Sequence, residues 1–497
     1  MISRPRATLL RLLVIAIVFC AVGQTQTVVN PAVVPAEQKE SWWANRHSAI
    51  LQVVKSHTET ELLLIGDSIT HNYEKDYPPD INLKPIWDQY YAPRHALNLG
   101  FGGDTTAHVL WRLEHGEVDG LHPKVALVLI GSNNSMLDQT AEQVVAGIDA
   151  VVADLERRLP ETRILLIGIL PTGINANKTN LDRAINRSLA NRYGENPRVT
   201  FLDIGSIFYR AGELRADLFY DPRMPQHYRP LHPDTKGQRM MTEAIEPTLS
   251  RLMGDAPRVP LASMSDINTA LIPVERLEQD SYDWYARHHA ELALLKQKQP
   301  DVVLLGDSIT HFWGGLPMAS QVNGPKAWDR VFGAFFVVNA GFGWDRTQNV
   351  LWRLRQGEFD AVHPKWVVLN IGTNNLTGTS HARANTPEEI VEAIGAICLE
   401  LKQRSPTSHI IVMGIFPRGK TANSPLRAAI QKTNELLARS VAGQKLTTFV
   451  DIGRQFLEPD GTLPKTMMPD GTHPSDAGYE LWANALIKAG IRPTGHK

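Results

Sequence analysis

Short apolar runs recur along the chain, too far apart to be hairpin partners. In the first half they are Leu62–Ile65, Val125–Ile130, Ile164–Ile167 and Val199–Ile204. In the second half they are Val302–Leu305, Trp366–Ile371, Ile410–Val412 and Thr448–Ile452. Each is continuous and rich in Val, Ile and Leu, as a strand buried on both faces must be. Amphipathic stretches such as Ala141–Leu159 and Pro387–Leu401 lie between them and predict helices. Helical patterning also runs over Ala36–Lys55 and Val274–Lys296. Strands alternating with helices predict an α/β fold with a parallel sheet.

The pattern occurs twice because the sequence does. Leu64-Ile-Gly-Asp-Ser-Ile-Thr-His71 returns as Leu304-Leu-Gly-Asp-Ser-Ile-Thr-His311. Asn98-Leu-Gly-Phe-Gly-Gly-Asp104 matches Asn339-Ala-Gly-Phe-Gly-Trp-Asp345, and Val109-Leu-Trp-Arg-Leu113 matches Val350-Leu-Trp-Arg-Leu354. Gly131-Ser-Asn-Asn134 matches Gly372-Thr-Asn-Asn375. Asn98 and Asn339 are 241 residues apart, as are Asn133 and Asn374, so no gap interrupts this stretch. A unit this long is a duplicated globular domain and no solenoid repeat. Each copy is large enough to bury its own core. The boundaries read as a leader over residues 1–23, copy one over 31–253, a linker over 254–269 and copy two over 270–493. The linker assignment rests on Pro, Ser, Gly and Asp in Gly254–Thr269.

Composition narrows the functional classes. The 497 residues carry 51 basic and 52 acidic side chains, for a formal charge of −1. That balance gives no support to nucleic acid or an anionic membrane surface as partner. Arg4, Arg6 and Arg11 precede an apolar run, Leu12–Val22, too short to span a bilayer. With small residues at Ala21 and Gly23 it reads as a secretory signal peptide, predicting an exported protein, periplasmic or secreted, with no integral membrane segment after cleavage. The alternatives for this segment are a retained anchor or lipidation at Cys20, which the bulky Phe19 before it disfavours. Cleavage would leave Cys398 as the single cysteine and therefore no internal disulfide.

Gly-Asp-Ser directly after a buried strand places a hydroxyl at the strand's carboxyl end, where open α/β sheets bind ligands. A serine there needs a base, a group to orient that base, and donors aimed at the developing oxyanion. Asp470-Gly-Thr-His473-Pro474 offers an acid and an imidazole three residues apart. Alone, that is also a common surface turn. With Gly-Asp-Ser, the Gly-Phe-Gly loop and Gly-x-Asn-Asn in this order, it is a specific set.

That set resembles the SGNH (GDSL) hydrolase superfamily, and within it the platelet-activating-factor acetylhydrolase catalytic subunits, over nearly all of both copies. The resemblance implies two tandem three-layer α/β/α, flavodoxin-like domains with serine esterase chemistry and no metal or cofactor. By position it implies Ser68 and Ser308 as nucleophiles and His232 and His473 as general bases. Asp470 would orient His473, and Asn133, Asn374 and the backbone N–H of Gly103 would be oxyanion donors.

Two departures from the family pattern stand out. Counted without a gap, the position matching Asp470 is Arg229 in copy one, which leaves His232 without its acid. Copy one then reads as a crippled esterase or a binding module, unless Asp221 in the preceding insert substitutes or a Ser-His dyad suffices. In copy two, Trp344 stands where copy one has the donor Gly103. Tryptophan keeps the N–H, and an ordinary φ is expected there, with the indole lining the acyl or sugar pocket.

Other recurring residues carry blander expectations. Trp111-Arg112-Leu113 and Trp352-Arg353-Leu354 are expected to pack. His71 and His311 are expected either to border the pocket or to cap the following helix, and Asn134 and Asn375 to brace their loop. Trp42-Trp43, matched by Trp284, is expected to cover the sheet edge. Gly100-Phe-Gly-Gly-Asp-Thr105 lacks the third glycine of a dinucleotide loop at the right spacing. The expected function is deacylation of a small ester by copy two, with an acetylated carbohydrate as substrate. The rivals are a lipid acetylhydrolase and a carbohydrate-binding protein on a degenerate hydrolase scaffold.

Overall fold

The computed structural model describes residues 29–56, 59–77, 81–137, 139–210, 212–222, 229–264 and 266–492. The leader and Cys20 lie outside the described residues. Copy one contains the strands β1 (Leu62–Gly66), β2 (Ala96–Gly100), β3 (Val125–Leu129), β4 (Arg163–Ile167) and β5 (Val199–Leu202). Copy two contains β6 (Val302–Gly306), β7 (Val337–Gly341), β8 (Trp366–Asn370), β9 (His409–Met413) and β10 (Thr447–Val450). All pairings within these two sheets are parallel. The strand orders are β2-β1-β3-β4-β5 and β7-β6-β8-β9-β10, the flavodoxin-like order in each copy.

Helices cover both faces of each sheet, so the chain forms two three-layer α/β/α domains. Alternate residues of β1 serve different cores: Leu63 and Ile65 pack on one side, Leu62 and Leu64 on the other. In β6, Val303 and Leu305 face one core and Val302 and Leu304 the other. This two-sided burial is why the strands read as unbroken apolar runs. The helices Ala141–Arg158 and Pro387–Arg404 both start at capping boxes, Thr140 with Gln143 and Thr386 with Glu389.

The N-terminal helices are shorter than their patterning predicts, spanning Ser41–Ser56 and Trp284–Gln297. Asp283 starts the second by accepting from the Tyr285 and Ala286 N–H groups. The residues before it form a strap instead of a helix: Val274 N–H donates to Gln348 O, and Thr347 Oγ1 donates to Ala270 O. In copy one, Thr106 Oγ1 likewise donates to Ala32 O. The segment between the copies is also more packed than a linker. Met264 and Ile267 are buried, and Asn268 donates to Glu389 O of copy two. Among the described residues no helix is long and apolar enough to cross a membrane.

Register is what brings the motifs together. Gly66 pairs with Gly100 on one side and with Leu129 on the other, so three strands end at one level. Gly306, Gly341 and Asn370 repeat that arrangement. Strand order reverses around β1 and β6, which opens the crevice where α/β folds bind ligands. The strand-ending glycine is needed for close approach. A Cβ at Gly306 would lie 2.2 Å from Thr310 Oγ1 and 2.4 Å from the Asn370 carbonyl oxygen. Gly306→Ala is therefore expected to destabilise copy two by about 1–3 kcal/mol, the usual cost of overpacking, read as a lowered midpoint in denaturant unfolding.

Candidate active site

In copy two, the short helix Ser308–His311 begins immediately after β6. Asp307 caps it, Oδ1 accepting from Ile309 N–H at 2.9 Å, which leaves Ser308 at the helix start, facing the crevice. His473 Nε2 lies 2.8 Å from Ser308 Oγ, and His473 Nδ1 lies 2.6 Å from Asp470 Oδ2. The other Asp470 oxygen accepts from the Thr472 and His473 backbone N–H groups, both at 2.8 Å. Desolvation pushes the Asp470 carboxyl up, but the hydrogen bonds from His473 and Thr472 outweigh it and hold the group below the ordinary carboxylate range. A carboxylate anchored by its own turn and bonded to Nδ1 fixes the tautomer in which Nε2 accepts the serine proton.

The oxyanion side is a turn that follows β7. Asp345 N–H donates to Phe342 O at 3.2 Å, with Trp344 at φ 65°. In copy one, Asp104 N–H donates to Phe101 O at the same distance, with Gly103 at φ 77°. The expectation of an ordinary φ at Trp344 is thus corrected. The turn demands the left-handed region, and tryptophan adopts it at a cost of about 1–2 kcal/mol. The conserved turn hydrogen bond keeps its N–H in the same frame as that of Gly103. Trp344 is 48% exposed. Asn374 Nδ2 donates to Asp345 O at 2.9 Å and Asn133 Nδ2 to Asp104 O at 2.8 Å. An amide has two N–H bonds, so each asparagine is tethered by one and keeps the other for an oxyanion.

Beneath this turn lies a brace in which Arg112 and Arg353, expected to pack, also pair with charge. Asp345 accepts from the Trp284 indole N–H at 2.9 Å and from Arg353 Nε at 3.1 Å. Arg353 also pairs with Glu358 and lies over the Phe342 ring. Copy one repeats each part, with Trp43 to Asp104 at 2.8 Å, Arg112 to Asp104 at 2.9 Å, Arg112 to Glu117, and Arg112 over Phe101. Trp43 and Trp284 are fully buried anchors for the loop aspartate, packed on Phe101 and Phe342 just past the edge strand of each sheet, so they do more than cover that edge. The available signal was that Trp, Asp, Arg and Glu all recur at one offset of 241 residues. Of the two recurring histidines, His71 braces the same turn, whereas His311 packs edge-on against the Tyr282 ring. His71 Nδ1 accepts from Gly102 N–H at 3.3 Å, a task taken in copy two by the Tyr282 hydroxyl toward Gly343 N–H at 2.8 Å. Asn134 and Asn375 accept from Thr106 and Thr347 N–H, holding the neighbouring helix start.

Copy one has Ser68 Oγ 2.8 Å from His232 Nε2. The Arg229 guanidinium donates to the Ile174 carbonyl. The ring's Nδ1 lies instead 3.0 Å from Asp221 Oδ2. Backbone pairing shows why. Asp234 N–H donates to Leu218 O at 2.8 Å, and its counterpart Ser475 N–H donates to Met467 O at 2.8 Å. Asp221 stands three residues after Leu218, as Asp470 does after Met467. Asp221 is therefore the structural counterpart of Asp470, and residues 222–229 are extra chain between the acid and its histidine. The gapless match to Arg229, and with it the replacement of the acid in copy one, is corrected.

One buried group, His288, Glu291 and Glu358, has ligand atoms close enough together for a cation, but Arg353 already lies against both carboxylates. It sits beneath the brace, away from Ser308.

Serine, imidazole, carboxylate and paired oxyanion donors at the carboxyl end of a parallel sheet define a serine hydrolase site. A family model, GDSL-like lipase/acylhydrolase, matches residues 64–240 and again 304–481. The chain belongs to that family and is a carboxylic ester hydrolase. It is similar to platelet-activating factor acetylhydrolase IB subunit alpha1 of Bos taurus, 34% identical over 214 residues, covering 43% of this chain and 84% of that one. It is also similar to the alpha2 subunit of Rattus norvegicus, 35% identical over 198 residues, covering 39% and 82%. Similar solved structures include a GDSL-like lipase from Bacteroides thetaiotaomicron, at 23% identity and TM-score 0.32, covering 41% of this chain and 96% of that one. An acetylxylan esterase from Geobacillus stearothermophilus matches at 21% identity and TM-score 0.31, covering 38% and 92%.

Burial pushes the capping carboxyl of Asp307 up to about 7. A raised folded value means that the folded state binds the proton more tightly than the unfolded one. This group's contribution to stability therefore falls as pH rises from the ordinary carboxylate value near 4 to about 7. Asp307→Asn keeps a capping side chain and removes the titration. Its unfolding free energy, measured from pH 4 to pH 8, is expected to fall less steeply with rising pH than that of the wild type.

Proposed function

We propose that the chain is an exported serine esterase that removes small acyl groups, acetyl first among them, from carbohydrate, with copy two carrying the reaction. The observation that carries the esterase reading is the unbroken relay Ser308–His473–Asp470 beside a braced oxyanion turn. The acetyl choice draws on the acetylhydrolase relatives. Export draws on the leader pattern. The carbohydrate choice draws on that export and on the half-exposed indole of Trp344, whose flat apolar face suits a sugar ring.

Ser308 Oγ attacks the acyl carbon while His473 Nε2 takes its proton. Asp470 stabilises the imidazolium, and the N–H groups of Ser308 and Trp344 with the Asn374 amide receive the oxyanion. The tetrahedral adduct collapses, and His473 returns the proton to the departing alkoxide. Water then attacks the acyl-serine by the same route, releasing the acid and restoring Ser308. A second reading, an acetylhydrolase acting on platelet-activating factor, follows from the names of the relatives alone.

The test is a panel of aryl acetates, aryl butyrates, acetylated xylooligosaccharides and platelet-activating factor. Ser68→Ala is expected to retain esterase activity, and the Ser68→Ala/Ser308→Ala double variant to lose all of it. Full turnover by the double variant would overturn the esterase reading. In the Ser68→Ala background, Asp470→Asn is expected to lower kcat about 10⁴-fold, the loss seen when a serine hydrolase histidine is left in the wrong tautomer.

Trp344→Gly relieves the left-handed strain and removes the indole. It is expected to raise the midpoint of thermal unfolding or leave it unchanged, and to raise KM for acetylated oligosaccharides at least tenfold with little change for aryl acetates. An equal KM for both substrates would remove the sugar-platform role.

A further inference from the structure

The copy-one crevice holds a second constellation that the proposal above does not use. We infer that copy one is itself an acyl-transfer centre, whose orienting acid, Asp221, is displaced along the chain by an eight-residue insert and held in place by Lys75. The inference rests on the esterase reading and extends it to a second site in the same chain.

The insert changes how the acid is anchored. In copy two, Asp470 is only three residues before His473, and the turn between them donates two backbone N–H groups to Oδ1. In copy one, Asp221 stands eleven positions before His232, so the three-residue spacing of that turn is absent. Lys75 Nζ instead approaches Asp221 Oδ2 at 2.9 Å, and both side chains are almost wholly buried. Lys75 sits just after the nucleophile segment, its N–H bonded to Asn72 O and its carbonyl to Leu83 N–H. A buried carboxylate needs such a partner. The residue at the same distance from the copy-two serine is Gly315, so the lysine accompanies the insert and is no general feature of the fold.

The same Asp221 oxygen faces both the ammonium and His232 Nδ1, the latter at 3.0 Å and off the ring's N–H line. Because the acid is held off that line, copy one is built to turn over, but more slowly than copy two. The remaining parts are in place: Ser68 against His232, the Asn133 amide tethered to Asp104 O, and Gly103 in an unstrained left-handed turn. The step balances as in copy two. Ser68 Oγ forms the bond to the acyl carbon, and its proton passes to His232 Nε2. The carbonyl π pair moves to oxygen and returns as the alkoxide leaves with that proton. Water repeats the sequence to free the acid. Where copy two has Trp344, copy one has Gly103, with the Gln38 amide donating to Gly102 O beside it.

The experiment uses the full chain in the Ser308→Ala background, with p-nitrophenyl acetate as substrate and a fluorophosphonate as serine probe. Ser308→Ala is expected to keep measurable turnover and to take one probe per chain at Ser68, against two for the wild type. Adding Asp221→Asn is expected to lower kcat about 10³–10⁴-fold with KM unchanged. Adding Lys75→Met is expected to lower kcat about tenfold or more, again without a change in KM. Adding Arg229→Asp, which restores the family spacing on paper, is expected to change nothing beyond twofold. Thermal unfolding of each variant separates loss of the relay from loss of the fold. If Ser308→Ala is inert and unlabelled while Ser68→Ala is active, copy one is not a catalytic centre and the esterase reading stands. If Asp221→Asn matches its parent, the acid assignment fails. If the double serine variant still turns over, both readings fall together.

Discussion

One buried carboxylate in each copy holds the reactive end of the domain together. Asp104 and Asp345 close the turn that follows the second strand, and each accepts from a tryptophan indole and an arginine guanidinium. Their backbone carbonyls accept from the Asn133 and Asn374 amides. A charge taken out of water survives only when it is paired and fully hydrogen-bonded. The turn is therefore locked from beneath, through the N-terminal helix and the helix after the turn. Under the proposed mechanism, donors on a turn held this way need not reorganise as charge develops, which is the main source of electrostatic stabilisation in such sites.

Sheet register supplies the other half of the geometry. Three parallel strands end level at Gly66, Gly100 and Leu129, and again at Gly306, Gly341 and Asn370. Nucleophile, oxyanion turn and asparagine are each carried a few residues beyond those ends. A shift of one residue in any strand would turn its whole set of side chains to the opposite face. The continuous apolar runs fix that register by burial on both faces. Core packing and site assembly are one constraint here, and the histidine joins from a loop that the same sheet supports.

Much of this was legible in the chain. Unbroken Val, Ile and Leu runs announced parallel strands, and the helices Ala141–Arg158 and Pro387–Arg404 began where Thr-x-x-Gln and Thr-x-x-Glu place capping boxes. The structure joins Ser308, His473 and Asp470 in one relay and ties Asn374 to the turn at Asp345. What sequence could not give was side-chain direction. Trp43 and Trp284 point inward to a carboxylate sixty-one residues away, a pairing no local pattern carries. Nor does an amino-acid preference reveal that Trp344 must take a positive φ. The turn imposes it, and tertiary structure overrides the local cost.

The acid of copy one is the case where chain arithmetic and space disagree. A duplicated sequence invites a single offset, and 241 residues serves from Asn98 to Asn133. Carried on to the histidine it matches Arg229 with Asp470 and removes an acid that the fold retains. Backbone pairing at Leu218 and Met467 restores the correspondence, because a strand-like contact cannot absorb extra residues, whereas the chain after it can lengthen. An insertion between two members of a relay is tolerated when each is held by something other than the chain joining them. For His232 that holder is the stretch through Pro233 and Asp234 into the last helix of the copy; for Asp221 it is Lys75 and the edge of the core. Relay members are thus fixed by what packs against them, and spacing along the chain is only its most frequent by-product.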